Sequence, residues 1–137
     1  MLYAVGGILL VTGLAWLVVD RAIWPETGTL LLRLHGGAAM AMLVLLGTLL
    51  PLHVRFGWRR GRNVASGIFM LATNGILIVT AFGLYYAGSD ALRHWTSVLH
   101  VVAGLALPAL VAGHVALGRR SRRTAAGERL AAAPRRR

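Results

Sequence analysis

Four stretches of the chain run without a single Asp, Glu, Lys or Arg: Met1 to Val19, Leu34 to Val54, Asn63 to Ser89 and His94 to Gly118. Each is about as long as the 20 or so helical residues that cross a hydrocarbon layer, and a helix satisfies its own backbone hydrogen bonds there. The pattern predicts four membrane-spanning helices, over about Leu2 to Val19, Thr29 to Val54, Val64 to Ala87 and Ala91 to Leu117. The first stretch lacks the basic start and the small-x-small cleavage site of a secretory signal, so it is read as a span. Ser89 and Asp90 are N-cap candidates for the fourth span, and Pro108 is placed to bend it. Asn74, the one strongly polar side chain in the third span, is read as interhelical glue.

Composition strengthens this picture. With 137 residues and 57% of them apolar, the chain is one domain by length and too apolar for a soluble core of that size. The expected architecture is an all-α integral membrane protein. A four-helix transmembrane bundle occupies residues 1–118, and a basic tail over 119–137 is expected to be flexible and to serve as a topology anchor, with contact to anionic lipid as the other reading. Trp24, Tyr85, Tyr86 and Trp95 near one surface and Trp58 near the other fit the aromatic belts of a bilayer protein.

Charge sets the expected orientation. All fifteen basic residues are arginine. Arg55, Arg59, Arg60 and Arg62 lie between the second and third spans and eight more follow Gly118, whereas the other two connections carry only Arg21, Arg33 and Arg93 beside Asp20, Glu26 and Asp90. The positive-inside bias puts the second connection and the C-terminus in the cytoplasm, and hence the N-terminus as well, giving N-in/C-in. The net charge of +11 belongs to membrane spans and accompanies no nucleic-acid fold signature, so no nucleic-acid partner is expected. Cysteine is absent, which excludes disulfides, iron–sulfur clusters, thiolate zinc and covalently attached haem.

The candidate chemistry lies in four histidines within the apolar stretches: His35 and His53 in the second span, His100 and His114 in the fourth. At ~100° per residue, the steps from His35 to His53 close on five turns and those from His100 to His114 return within roughly 40°, so each pair shares a helix face. With each span centred between its flanking arginines, His35 and His53 fall about 13 Å to either side of the middle, and His100 and His114 about 9 Å outward and 12 Å inward. Depth therefore pairs His35 with His100 and His53 with His114. His94 is close in depth to His35 but about 160° from His114 in azimuth, and is read as an interface residue beside Trp95.

An unpartnered imidazole in the apolar layer costs on the order of several kcal/mol, and a haem iron taking one histidine from each helix would be a partner. Arg33 and Arg93 outside, with Arg55, Arg59, Arg119 and Arg120 inside, suit haem propionates. Gly104, one turn from His100, and Gly113, beside His114, allow a flat ring to approach the backbone. Two other readings of the histidines stand beside haem ligation: a proton or metal-ion path, and structural histidines in a cofactor-free assembly or sensory subunit.

With His35, His53, His100 and His114 in these places, the chain resembles bacterial di-haem b-type membrane cytochromes over Leu30 to Gly118. The pair on the last span is similar to the paired ligands of cytochrome b subunits in membrane formate dehydrogenases and hydrogenases. Ligands on spans two and four are similar instead to the haem-bearing half of cytochrome b in quinol-oxidising bc complexes. The resemblance implies two bis-histidine b haems in a bacterial cytoplasmic membrane and electron transfer across it, to or from a quinone, with a dehydrogenase or cytochrome c as redox partner. No flavin, nicotinamide or molybdenum signature accompanies it, so the polypeptide would relay electrons between a separate donor and acceptor.

Overall fold

The computed structural model describes residues 1–20, 22–61 and 63–131; Arg21, Arg62 and residues 132–137, with Pro134 and the last three arginines, lie outside the described residues. Those described form four helices and no strand: α1 (Leu2–Val18), α2 (Pro25–Arg60), α3 (Val64–Tyr86) and α4 (Asp90–Ala131). The chain is thus all-α, as the apolar runs predict. Asp20 closes the turn after α1 by accepting a hydrogen bond from the Ala22 amide at 2.9 Å. Pro25 opens α2, where its missing N–H and fixed φ cost nothing, with Glu26 favourably placed on the helix dipole. Gly61 has a left-handed φ of 61° just past the end of α2, a conformation that glycine adopts without a Cβ penalty. Ser89 caps α4 as expected, its Oγ accepting from the Leu92 amide at 3.3 Å.

Three helices are long and apolar enough to cross a membrane: α2, α3 and α4 as far as Ala125. This is a multi-pass membrane chain. The 17 residues of α1 extend only about 25 Å, slightly less than a hydrocarbon layer of about 30 Å. Two helices outrun their predicted spans. α2 begins before Thr29, passes through Pro51 unbroken and ends at Arg60, while α4 passes Pro108 and does not stop at Leu117. The arginine-rich segment expected to be flexible is helical from Arg119 to Ala131. Arginine and alanine are strong helix formers, and no proline interrupts them there.

The chain divides into two compact units, Met1–Arg55 and Phe56–Arg137. In the first, α1 and α2 run antiparallel: Thr12 meets His35, and a Cβ on Gly6 would lie 3.7 Å from the Met42 methyl. In the second, α3 and α4 run antiparallel along a longer seam. It passes from Gly83 and Thr96 through Thr80 and His100, Gly104 and Leu77, and Ser66 and His114, to Asn63 and Ser121.

Apolar and polar positions are inverted relative to a soluble core. The buried side chains include Thr12, Thr80, Thr96, Ala87 and Ala103, whereas Phe69, Val79, Phe82, Val44 and Met40 face outward. Lipid can cover the outer face, so small residues are left to bring the helices close. Each buried threonine satisfies its hydroxyl within its own helix, donating to the carbonyl four residues back: Thr12 to Ile8, Thr80 to Ile76 and Thr96 to Leu92. Asn74 behaves in the same way. Its Nδ2 donates to the Met70 carbonyl at 2.8 Å, so the amide expected to glue two helices together serves α3 itself.

At Gly83 α3 lies close against α4: a Cβ there would stand 2.6 Å from Cγ2 and 3.0 Å from Oγ1 of Thr96. Gly83→Ala should lower the thermal unfolding midpoint of the detergent-purified protein, at a cost of about 1–3 kcal/mol for forced repacking. Gly75→Ala, which meets nothing within 4 Å, should leave the midpoint unchanged or raise it, because alanine is the better helix former. Equal effects at the two positions would show that the Gly83 seam does not limit packing.

Candidate functional site

Three of the four histidines are held by one device. His35 Nδ1 lies 2.9 Å from Thr12 Oγ1 of α1, His100 Nδ1 lies 2.9 Å from Thr80 Oγ1 of α3, and His114 Nδ1 lies 2.9 Å from Ser66 Oγ of α3. In each case the hydroxyl also contacts a carbonyl of its own helix: Ile8 at 2.6 Å, Ile76 at 2.6 Å and Asn63 at 2.9 Å. A carbonyl carries no hydrogen, so a hydroxyl that gives its single hydrogen to that contact accepts from the ring. In that arrangement Nδ1 is the protonated nitrogen and Nε2 carries the lone pair. A histidine that donates its Nδ1–H to a fixed acceptor has the orientation and tautomer required to ligate a metal through Nε2.

The helices fix the spacing. α2 is continuous from His35 to His53, which separates them by about 27 Å along the axis, and α4 separates His100 from His114 by about 21 Å. The shared face predicted for the α4 pair is seen directly, since both rings bond hydroxyls of α3. In the first unit, His35 turns toward α1 and is half-buried, while His53, two residues after Pro51, is exposed. His35 and His53 belong to the first unit, and His100 and His114 to the second. Among the described residues no three His, Asp or Glu side chains gather where they could hold a metal ion. A bare-ion site needs such a cluster, whereas a haem iron needs only two axial donors.

Imidazoles tethered at Nδ1, in helices whose seams are lined by small side chains, form a donor set that fits a haem. Arg33, Arg55, Arg59, Arg119 and Arg120 are exposed, and their guanidinium groups are accessible to anionic groups at the helix ends. Arg93 has another task. Its Nη2 donates to the Ala87 carbonyl at 3.2 Å, capping the C-terminal end of α3, where a cation also opposes the helix dipole. His94 is exposed and stands edge-on to Trp95, with ring centroids 5.8 Å apart, the interface position expected of it. Trp24, Trp58, Tyr85, Tyr86 and Trp95 are all exposed, as belt aromatics would be.

Sequence reasoning from the histidines alone misses their tethers, Thr12, Thr80 and Ser66. A signal for two of them is present in the sequence. Gly7 to Thr12 reads GILLVT and Gly75 to Thr80 reads GILIVT, differing only between Leu10 and Ile78, and each hexapeptide ends on the threonine that holds a histidine of the next helix. Farther along, His53 to Gly57 reads HVRFG and His114 to Gly118 reads HVALG. The two motifs thus recur in the same order along the chain. Comparison with protein families, with curated proteins and with solved structures finds no match to the chain.

Proposed function

We propose that the protein is a b-type membrane cytochrome that relays electrons across the bilayer, with His35 and His100 as the axial ligands of an outer haem and His53 and His114 as those of an inner one. The observation that carries this reading is the repeated tether: His35, His100 and His114 each place Nδ1 2.9 Å from a hydroxyl of the neighbouring helix, and a ring that donates there offers Nε2 as the ligating nitrogen. A packing histidine has no need of such uniformity. Bis-histidine haem supplies a one-electron carrier, and with both axial positions filled it offers no open site for substrate.

The chain's own residues hold and orient. α2 and α4 carry one ligand of each pair at either end, and α1 and α3 supply the hydroxyls that aim the rings. In an N-in/C-in arrangement, Arg55 and Arg119 flank the inner pair and Arg33 the outer one, placing fixed positive charge where propionates would emerge. The lipid bilayer is one partner. A quinone, and a dehydrogenase or cytochrome c as redox partner, are the donors and acceptors that such a relay requires, and a bacterial cytoplasmic membrane is where it would operate.

The protein purified from cells supplied with haem should show a reducible Soret band and alpha band, with about two haems per chain by pyridine haemochrome. A colourless preparation made under those conditions rejects the proposal and favours a cofactor-free assembly or sensory subunit.

A further inference from the structure

The apolar run of α4 ends at Gly118, but the helix does not. Just beyond it, Ser121 is held against the start of α3. Asn63, in a left-handed turn with φ 59°, donates from Nδ2 to Ser121 Oγ at 3.2 Å, and Ser121 Oγ donates back to Asn63 Oδ1 at 3.4 Å. This contact fixes the azimuth of α4 where it leaves the apolar layer. At ~100° per residue, Arg120 and Arg123 fall about 60° apart on the side of α4 turned away from α3, and Arg122 falls on the opposite flank. All three are exposed.

No carboxylate of α4 answers the pair. The sequence has no Asp or Glu between Asp90 and Glu128, and Glu128 lies beyond the three- and four-residue spacings at which helical side chains meet Arg123. Like charges placed as Arg120 and Arg123 are repel each other, and an anion between them would satisfy both. Depth says which anion. Trp58, 65% exposed, directly precedes Arg59 and Arg60 at the end of α2, and Asn63 follows Arg60 within about 11 Å of chain. An exposed indole marks the headgroup level of a bilayer, so the arginines around Asn63 and Ser121 stand among lipid phosphates. Toward the membrane middle, the same side of α4 presents exposed Ala109, Ala112 and Ala116, a strip low enough for an acyl chain to lie along.

We propose that Arg120 and Arg123 form a binding site for the phosphate of an anionic membrane phospholipid, with Arg59 and Arg60 adding to the positive field. Two guanidinium groups bridge a phosphate with paired hydrogen bonds, and the Ser121–Asn63 contact keeps them facing lipid. The topology anchor is then also a lipid-selective site.

Electron spin resonance of the full-length protein in phosphatidylcholine vesicles, with spin-labelled phosphatidylglycerol or phosphatidylcholine as probe, tests this. The wild-type protein should hold the anionic probe several-fold more strongly. Arg120→Gln and Arg123→Gln should each cut that preference by up to about fivefold, and Arg122→Gln by less. No preference in the wild type overturns the site, and equal losses at all three positions overturn its assignment to Arg120 and Arg123. Should the glutamine variants fail to insert, wild-type protein decides. High salt should weaken the preference, and a salt-insensitive one overturns the proposal. In neutral detergent, phosphatidylglycerol should raise the unfolding midpoint where inorganic phosphate at the same concentration does not; equal shifts overturn the lipid as occupant. A colourless protein should show the same preference, so haem content and lipid binding are read separately.

Discussion

His114→Ala and His53→Ala should each remove one haem of two and leave the other spectrally intact, while His35→Ala and His100→Ala should remove the complementary one. The proposed ligand sets share no residue, and within α2 and α4 the two positions are separated by several helical turns. Loss at one end therefore has no direct route to the other. Replacing an axial imidazole by alanine withdraws one of the two bonds that hold a non-covalent cofactor, so bound haem should fall from about two to about one per chain. His94→Ala is the control. His94 is exposed beside Trp95, and its loss should leave both haems in place. If His94→Ala mimics His35→Ala and His100→Ala does not, the outer ligand has been misassigned. If every substitution removes both haems, ligation and folding form one equilibrium, and the independence of the sites is rejected.

Electron transfer across a sealed bilayer is the second large effect expected. In vesicles containing the protein in one orientation, an impermeant reductant outside should reduce an impermeant acceptor trapped inside, with quinone supplied where the acceptor requires it. His114→Ala and His35→Ala should each stop this transfer, because each removes one end of the relay. The arginine asymmetry predicts that Arg55, Arg59 and Arg60 lie on the cytoplasmic side, and protease accessibility of the α2–α3 connection fixes the orientation in the same preparation. Wild-type protein with both haems reducible but no electron reaching the trapped acceptor would reject the transmembrane relay and leave a role confined to one membrane face.

The sequence by itself determined the helices and the identity of the histidines. An uninterrupted apolar run in a chain of this composition has one local solution that satisfies its backbone, so α1 and α3 end within a residue of where the pattern places them. The shared face of His100 and His114 follows from helical pitch alone. Helix ends beyond the membrane were less legible, because hydropathy reports where the chain leaves lipid and not where the helix stops. α4 therefore runs on through its arginines to Ala131. Asn74 could not be assigned from its polarity, since an amide in an apolar span finds a carbonyl as readily one turn back as on a neighbouring helix. The tethering of the histidines was decided only by tertiary structure. Nothing in an isolated helix distinguishes Nδ1 from Nε2; the distinction comes from a hydroxyl on the adjacent helix that stands 2.9 Å from Nδ1 and also contacts its own backbone carbonyl. Thr12 and Thr80 are repeated in the sequence, but what they hold depends on the antiparallel register of the helix that follows, and side-chain contacts across that seam set it.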